Sequence, residues 1–445
     1  MSEFPIPTAE TLQATTDATF ADLPLVAHAR RHREVERIDD VAAATRTALA
    51  NIDRLEDLAP GSTVGLTAGS RGIHDLPAVL ETAVVALRER GLEPVVLAAM
   101  GSHGGATSAG QRETLAALGV TESRLGCAIH SSMAVEEVGR DGLDRPVYAA
   151  RDALETDAVL LVNRVKPHTD FSGLVESGLC KMAVIGLGNH RGAESLHNAG
   201  LAADFSEVIQ ERARILLEET PIVGGIALVE NARHRAHLIE GIPAERILDR
   251  EPVLLERARE TLATLPVEDL DLLIVDELGK DVSGTGMDTN VLGRTYFHGE
   301  DEPDAPSITR VYARSITPAS HGNGIGIGLA DFVHRDVLAD LAVSDMYVNI
   351  VTSGEPRRAK LPFVVPDDET ALLLACSTTG VATPEELRFA RIQNTLEPDS
   401  LVVSEPVARE LESHPEVTVG EVRPLEVCEG RLEEAWWNSQ QNETV

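Results

Sequence analysis

Two of the four lysines in this 445-residue chain, Lys166 and Lys181, fall in one short histidine-bearing stretch, while arginines number 35. The stretch reads Val165-Lys166-Pro167-His168-Thr169-Asp170-Phe171-Ser172-Gly173, then Cys180-Lys181-Met182, and continues to His190 and His197. A chain that uses arginine almost everywhere keeps lysine where a guanidinium cannot serve. A compact amine that can lose its proton and form a covalent bond is such a use. Lys181 lies among Leu179, Met182, Val184 and Ile185, where desolvation would lower its pKa and favour the nucleophilic form. Gly173, Gly178, Gly186, Gly188 and Gly192 let the backbone approach a ligand closely. The imidazoles of His190 and His197 suit nickel, copper, zinc or iron. From residue types alone the segment admits a Schiff-base enzyme, a metal site or an anion-binding site.

Such residues need elements to hold them. Thr63–Thr67, Glu93–Met100 and Ala158–Asn163 read as strands, and Leu76–Arg90 and Ser108–Leu118 as helices, with another running from an Asp39 or Asp40 cap to Leu55. This alternation predicts an α/β domain with a mainly parallel sheet. In such sheets ligands bind where strands run out at their carboxyl ends. The three strands are followed by Ala68-Gly69-Ser70-Arg71-Gly72, by Gly101-Ser102-His103-Gly104-Gly105 and by Arg164-Val165-Lys166-Pro167-His168. Arg71, His103 and His168 are therefore expected to face a shared crevice. Glu251–Leu265 reads as a helix closed by Pro266, and Leu270–Asp276 opens a new strand. This puts the boundary between two mixed α/β domains, 1–266 and 267–445, at that point. In the second half, Ile308–Ile316 and Ser400–Val403 are strand-like and Pro384–Gln393 helix-like; the tail after Glu429 is polar apart from Trp436 and Trp437.

The formal charge is −33 and the 72 acidic residues run the whole length. Acid surplus with little lysine is the pattern of a protein adapted to concentrated salt, in which screening relieves self-repulsion and carboxylates hold water. No basic face is available to neutralise phosphates, which excludes nucleic acid as a main partner and disfavours an anionic membrane. The N-terminus lacks the cationic head and apolar run of a signal peptide. No stretch approaches the ~20 apolar residues that cross a bilayer. The four cysteines form no CxxC pair, against a disulfide scaffold or zinc ribbon. A cytoplasmic protein is expected.

From about residue 60 to 200 the chain resembles the nickel-pincer-dependent lactate racemase family. The matching pieces are Arg71, Gly101-Ser102-His103, Lys166-Pro167-His168 with Phe171-Ser172-Gly173, then Lys181 and His197. The resemblance implies an isomerase, a racemase or epimerase of a 2-hydroxy acid, with cofactor and substrate in a cleft between two α/β domains. It implies a pyridinium bis-thiocarboxylate mononucleotide carrying nickel, joined covalently to Lys181. His197, sixteen positions on, would be the protein's ligand to the metal. Arg71 with Ser70, Gly101, Ser102 and Gly173 would bind the cofactor, and Arg71 could instead take the substrate carboxylate. His103 and His168 would act as bases on opposite faces of the substrate. Cofactor-maturation proteins and a small hydroxy acid would be partners, and a homo-oligomer is compatible.

The chain departs from the family in three ways. Seven residues, Leu174 to Cys180, separate Phe-Ser-Gly from Lys181; Ala68 stands where the family has an aspartate; and the second domain lacks the usual glutamine and lysine for substrate. Lys280, Asn290 and Arg294 could replace that pair, His321 and Lys166 could also meet substrate, and the substrate should differ from lactate. Asp170 and Glu176 could orient a catalytic histidine. Three other readings stay open: a metal-dependent hydrolase or lyase on the same histidines, a nucleotide- or anion-binding protein, and a Schiff base at Lys181.

Overall fold

The computed structural model describes residues 5–200 and 203–433, with the side chains of 197, 352 and 353 outside that description. The chain divides into two units, residues 35–262 and residues 1–34 with 263–445.

The unit of residues 35–262 is built on a six-stranded sheet. Its order is Ile129–His130, Glu93–Ala98, Thr63–Ala68, Ala158–Arg164, Ile222–Glu230, Ala236–Pro243. All neighbours are parallel except the last pair, an antiparallel hairpin. The apolar runs explain this arrangement. Leu160 and Val162 pack into one core with Leu66, Leu80 and Val84, while Val159 and Leu161 pack into the other with Ile209, Leu216 and Leu254. A strand covered on both faces must be apolar at every position. The first three strands advance in one direction from Thr63–Ala68, and Ala158–Arg164 lies on its other side. The switch point of the sheet thus falls between the loops carrying Arg71 and His168.

The other unit has an eight-stranded sheet in the order Phe363–Val365, Phe332–His334, Ser307–Ile316, Asp269–Leu278, Phe389–Ile392, Ser400–Ser404, Val26–Arg31, Val417–Val419. The first five are parallel and the rest antiparallel. Arg314 and Arg391 both bind Asp276, and Arg314 also binds Asp368, tying three strands through buried charge.

Two expectations need correction. Residues 1–34 do not belong with the first domain: Val26–Arg31 pairs with Ser400–Ser404 and Val417–Val419, so residues 35–262 are an insertion. The ends of that insertion meet, since Asn231 donates to the Glu36 carbonyl at 2.9 Å and Thr261 to the Glu230 carbonyl at 3.0 Å. The Pro384–Gln393 segment is a 3-10 turn at Pro384–Glu386 followed by a fully buried strand, Phe389–Ile392. A place in mid-sheet outweighs its helical pattern. Trp436 and Trp437 lie outside the described residues.

Candidate functional site

Three loops at the carboxyl ends of Thr63–Ala68, Glu93–Ala98 and Ala158–Arg164 build the site. Ser70 Oγ in the first is hydrogen-bonded to His103 Nδ1 in the second. Gly101 holds the second loop against the segment after Lys181. Its φ is +61°, and a Cβ there would fall 2.8 Å from Ile185 Cγ2. Gln111 donates to the Gly101 carbonyl from beneath, at 3.2 Å.

The third loop leaves its strand at Arg164 and returns on itself. Lys166 and Ser177 exchange backbone hydrogen bonds of 2.9 and 3.2 Å, and Asn163 Nδ2 donates to the Gly178 carbonyl at 2.8 Å. The seven residues between Phe-Ser-Gly and Lys181 thus form the return leg of a closed loop. The Glu176 carboxylate, 2% exposed, fills its middle. It accepts from the backbone N–H of His168 at 2.5 Å and of Gly173 at 3.1 Å, and from Arg259 at 2.5 Å. Burial raises the Glu176 pKa against the pull of those donors. Glu176 therefore fixes the backbone of the loop rather than the imidazole.

The side chains then stack. The His168 ring lies 4.5 Å from that of Phe171, which lies 4.6 Å from Phe205. Lys181 Nζ stands 5.8 Å from the Phe171 centroid. Burial lowers the Lys181 pKa to about 7; Arg71 and Lys166 push the same way, Asp170 and Glu176 against. Burial also drives the His168 pKa well below its usual value, helped by Lys181, Arg71 and Lys166 and opposed by Asp170. Arg71 stays open to water yet is crowded by protein, and burial lowers its pKa against Asp170, with Arg164 adding to the fall. Arg71, Lys166, Lys181 and two imidazoles thus gather at the switch point, with Asp170 the counter-charge that acts on Arg71, His168 and Lys181 alike.

Lys181 ends a short helix, Leu179–Lys181, that runs into a π-helical turn, Met182–Gly186, and then the helix Asn189–Gly200. The helix start rests on Glu251, whose Oε2 accepts the Cys180 N–H at 2.9 Å. Glu251 is buried and its pKa is raised to about 7 by burial. A Cβ on Gly178 would sit 2.4 Å from the Glu251 carboxyl carbon, so glycine is required there. Glu251, Arg259 and Phe205 were not singled out from the sequence. The available signal for Glu251 was a carboxylate on the apolar face of its helix, beside Leu254, Leu255 and Ala258.

The remaining candidates fall elsewhere. Gly173 offers no open approach: its N–H is taken by Glu176, and a Cβ would lie 2.3 Å from Ser206 Cβ. Ser102 is half-buried in the His103 loop, and His190 is exposed. The side chain of His197, on Asn189–Gly200, lies outside the described residues. In the other unit Lys280 Nζ donates to Asn349 at 2.5 Å, its N–H donates to Ser320 at 2.8 Å, and His321 is exposed with φ +48°. Asn290 Nδ2 donates to Asp288 at 2.9 Å, the cap of its own short helix. Arg294 is buried, with its guanidinium committed to Asp331 and to the Leu329 and Ile308 carbonyls. It is a core staple, and the expectation that it meets substrate is corrected accordingly. Among the described residues no group of three or more His, Cys, Asp or Glu is placed to hold a metal.

No protein-family model and no curated protein matches this chain. Solved structures similar to it include the lactate racemase apoprotein from Thermoanaerobacterium thermosaccharolyticum. The two are 12% identical with a TM-score of 0.49, over 85% of this chain and 95% of that one. A protein from Thermotoga maritima is 15% identical with a TM-score of 0.47, over 72% of this chain and 83% of that one. At these values the chemistry has to be read from the site itself.

Proposed function

We propose that the protein is an isomerase, a racemase or epimerase of a 2-hydroxy acid other than lactate, whose site lies in the unit of residues 35–262. The observation that carries this reading is Lys181: an amine with a pKa of about 7, over the Phe171 ring, in a cluster with Arg71, Lys166 and His168. A neutral amine can form a covalent bond to a carbonyl-type carbon of a cofactor at neutral pH. The resemblance in sequence suggests a nickel pincer mononucleotide, and the chain offers what its organic part needs. Lys181 would anchor it, and Arg71, beside Ser70, would take its phosphate. His197 would be the metal ligand.

When bound, that group would supply a centre able to accept and return hydride. The protein's own residues would do the rest. Arg71 or Lys166 would hold the substrate carboxylate, since a −33 chain that sets two cations side by side at one place concentrates anions there. His103 and His168, both within the influence of the Arg71 loop, would flank the substrate hydroxyl and manage its proton. The buried rings of Phe171 and Phe205 would limit water.

The test is intact mass and metal analysis of protein made in its natural host or with maturation enzymes. An adduct on Lys181 with one nickel per chain is expected. An unmodified Lys181 without nickel under those conditions removes the cofactor assignment. A borohydride-trapped aldehyde at Lys181 would replace it with Schiff-base chemistry.

A further inference from the structure

The helix Ile247–Thr261 grips the loop of the candidate site at two points. Near its end, Arg259 donates to Glu176 at 2.5 Å and to the Gly173 carbonyl at 3.4 Å. Near its start, Glu251 accepts the Cys180 N–H at 2.9 Å and so holds the turn that presents Lys181. Eight residues of helix from Glu251 to Arg259 span about 12 Å. The four residues from Glu176 to Cys180 reach at most about 14 Å when extended, and Gly178 among them is extended, with φ 179°. Helix and return leg therefore run in opposite directions over matching lengths, and the helix serves as a ruler for the leg.

The fit is tight at the Glu251 end. A Cβ on Gly178 would lie 2.4 Å from the Glu251 carboxyl carbon, and Asn163 Nδ2 holds the Gly178 carbonyl at 2.8 Å. Leu179, Cys180 and Glu251 are all buried. The titratable side chain that acts on Glu251 is the Cys180 thiol, whose own pKa is raised by burial and then by Glu251. Burial is the first cause of the lowered Lys181 pKa, and the charges acting on that amine are Asp170, Arg71, Lys166 and Glu176. Glu251 thus reaches the amine through the turn it holds.

We propose that Glu251 is the positioning residue of Lys181, setting the amine in its dry place against Phe171, with Arg259 fixing the other end of the same helix to the loop. This rests on the reading above, in which Lys181 is the working amine, and adds the part that keeps it in place.

Trace acylation of the full chain with acetic anhydride, read by peptide mass, follows the Lys181 midpoint, near pH 7 in the unaltered protein. Glu251→Gln keeps an acceptor for the Cys180 N–H and should leave that midpoint within about 0.3 pH unit. Glu251→Ala lets water reach the amine and should raise it by at least about one unit towards 10.5. Gly178→Ala, whose methyl displaces the same carboxyl from an extended backbone, should raise it likewise. A merely structural Glu251 would lower stability in these variants and leave the amine titrating near 7, and that result overturns the proposal. A Glu251→Gln shift as large as that of Glu251→Ala overturns it too. Without any variant, the Leu179 and Cys180 amides should exchange hydrogen as slowly as the sheet of this unit, and exchange at the rate of an open loop counts against the grip. Oxalate, a flat dianion resembling an oxidised hydroxy acid, tests the other premise. Its failure to bind the unaltered protein removes the hydroxy-acid reading and leaves the Lys181 midpoints to decide the positioning role.

Discussion

Lys181 Nζ stands 5.8 Å from the centre of the Phe171 ring. An aromatic face attracts a cation by only about 0.5–2 kcal/mol. Loss of water and the Arg71 and Lys166 charges outweigh that attraction, and the pKa falls to about 7. The ring is therefore better understood as a wall that keeps the amine dry.

The first prediction concerns that amine. A lysine whose pKa is lowered on folding gives stability that is present above its unfolded value and lost as pH falls through the folded one, here from 10.5 towards about 7. Lys181→Met should stabilise the protein at pH 6 by about 1–3 kcal/mol, with a smaller gain at pH 10. Chemical denaturation at the two pH values measures it. Acylation mapped by peptide mass should modify Lys181 half-maximally near pH 7.

Glu251 titrates in the opposite sense. Its pKa is raised to about 7 against an ordinary 4.5, so its contribution is full below the lower value and fades as pH rises through the higher one. Glu251→Gln keeps an acceptor for the Cys180 N–H and cannot ionise. The pH dependence of unfolding between about 4.5 and 7 should flatten by roughly one proton in this variant. An unchanged slope would place the titrating group elsewhere.

Gly101 should tolerate no side chain. Gly101→Ala meets Ile185 at 2.8 Å in a backbone region unfavourable to alanine, and should cost about 1–3 kcal/mol. The loop it anchors carries His103, so ligand affinity should fall with stability. Calorimetry with and without oxalate separates the two effects.

The acidic surface makes a prediction of its own. With a formal charge of −33, self-repulsion should dominate in dilute buffer, and the melting temperature should rise by more than about 10 °C on moving to about 2 M KCl. A melting temperature indifferent to salt would leave the acid surplus without that explanation.

Much of the sheet in residues 35–262 was legible because its strands are buried on both faces and therefore apolar throughout. The loops that gather Ser70, Arg71, His103, Lys166 and His168 follow from strand ends and parallel order. What could not be read was contact over long separation. Nothing in Val26–Arg31 announces pairing with Ser400–Ser404, and the central place of Phe389–Ile392 is a property of the assembled sheet.

The order in which this molecule can come into being follows from where its first strand finds neighbours. Arg31 waits 385 positions for Glu416, its ion-pair partner. Meanwhile the ribosome delivers residues 35–262, whose two ends close on Glu230 and Asn231 without help from anything made later. The lysine-bearing half can mature while the opening strand trails with bare edges, an invitation to mispairing that its arginines, Arg30 and Arg31, would discourage. Deleting residues 1–34 should then spare the chemistry and unravel the later half, a loss felt in yield before it is felt in turnover.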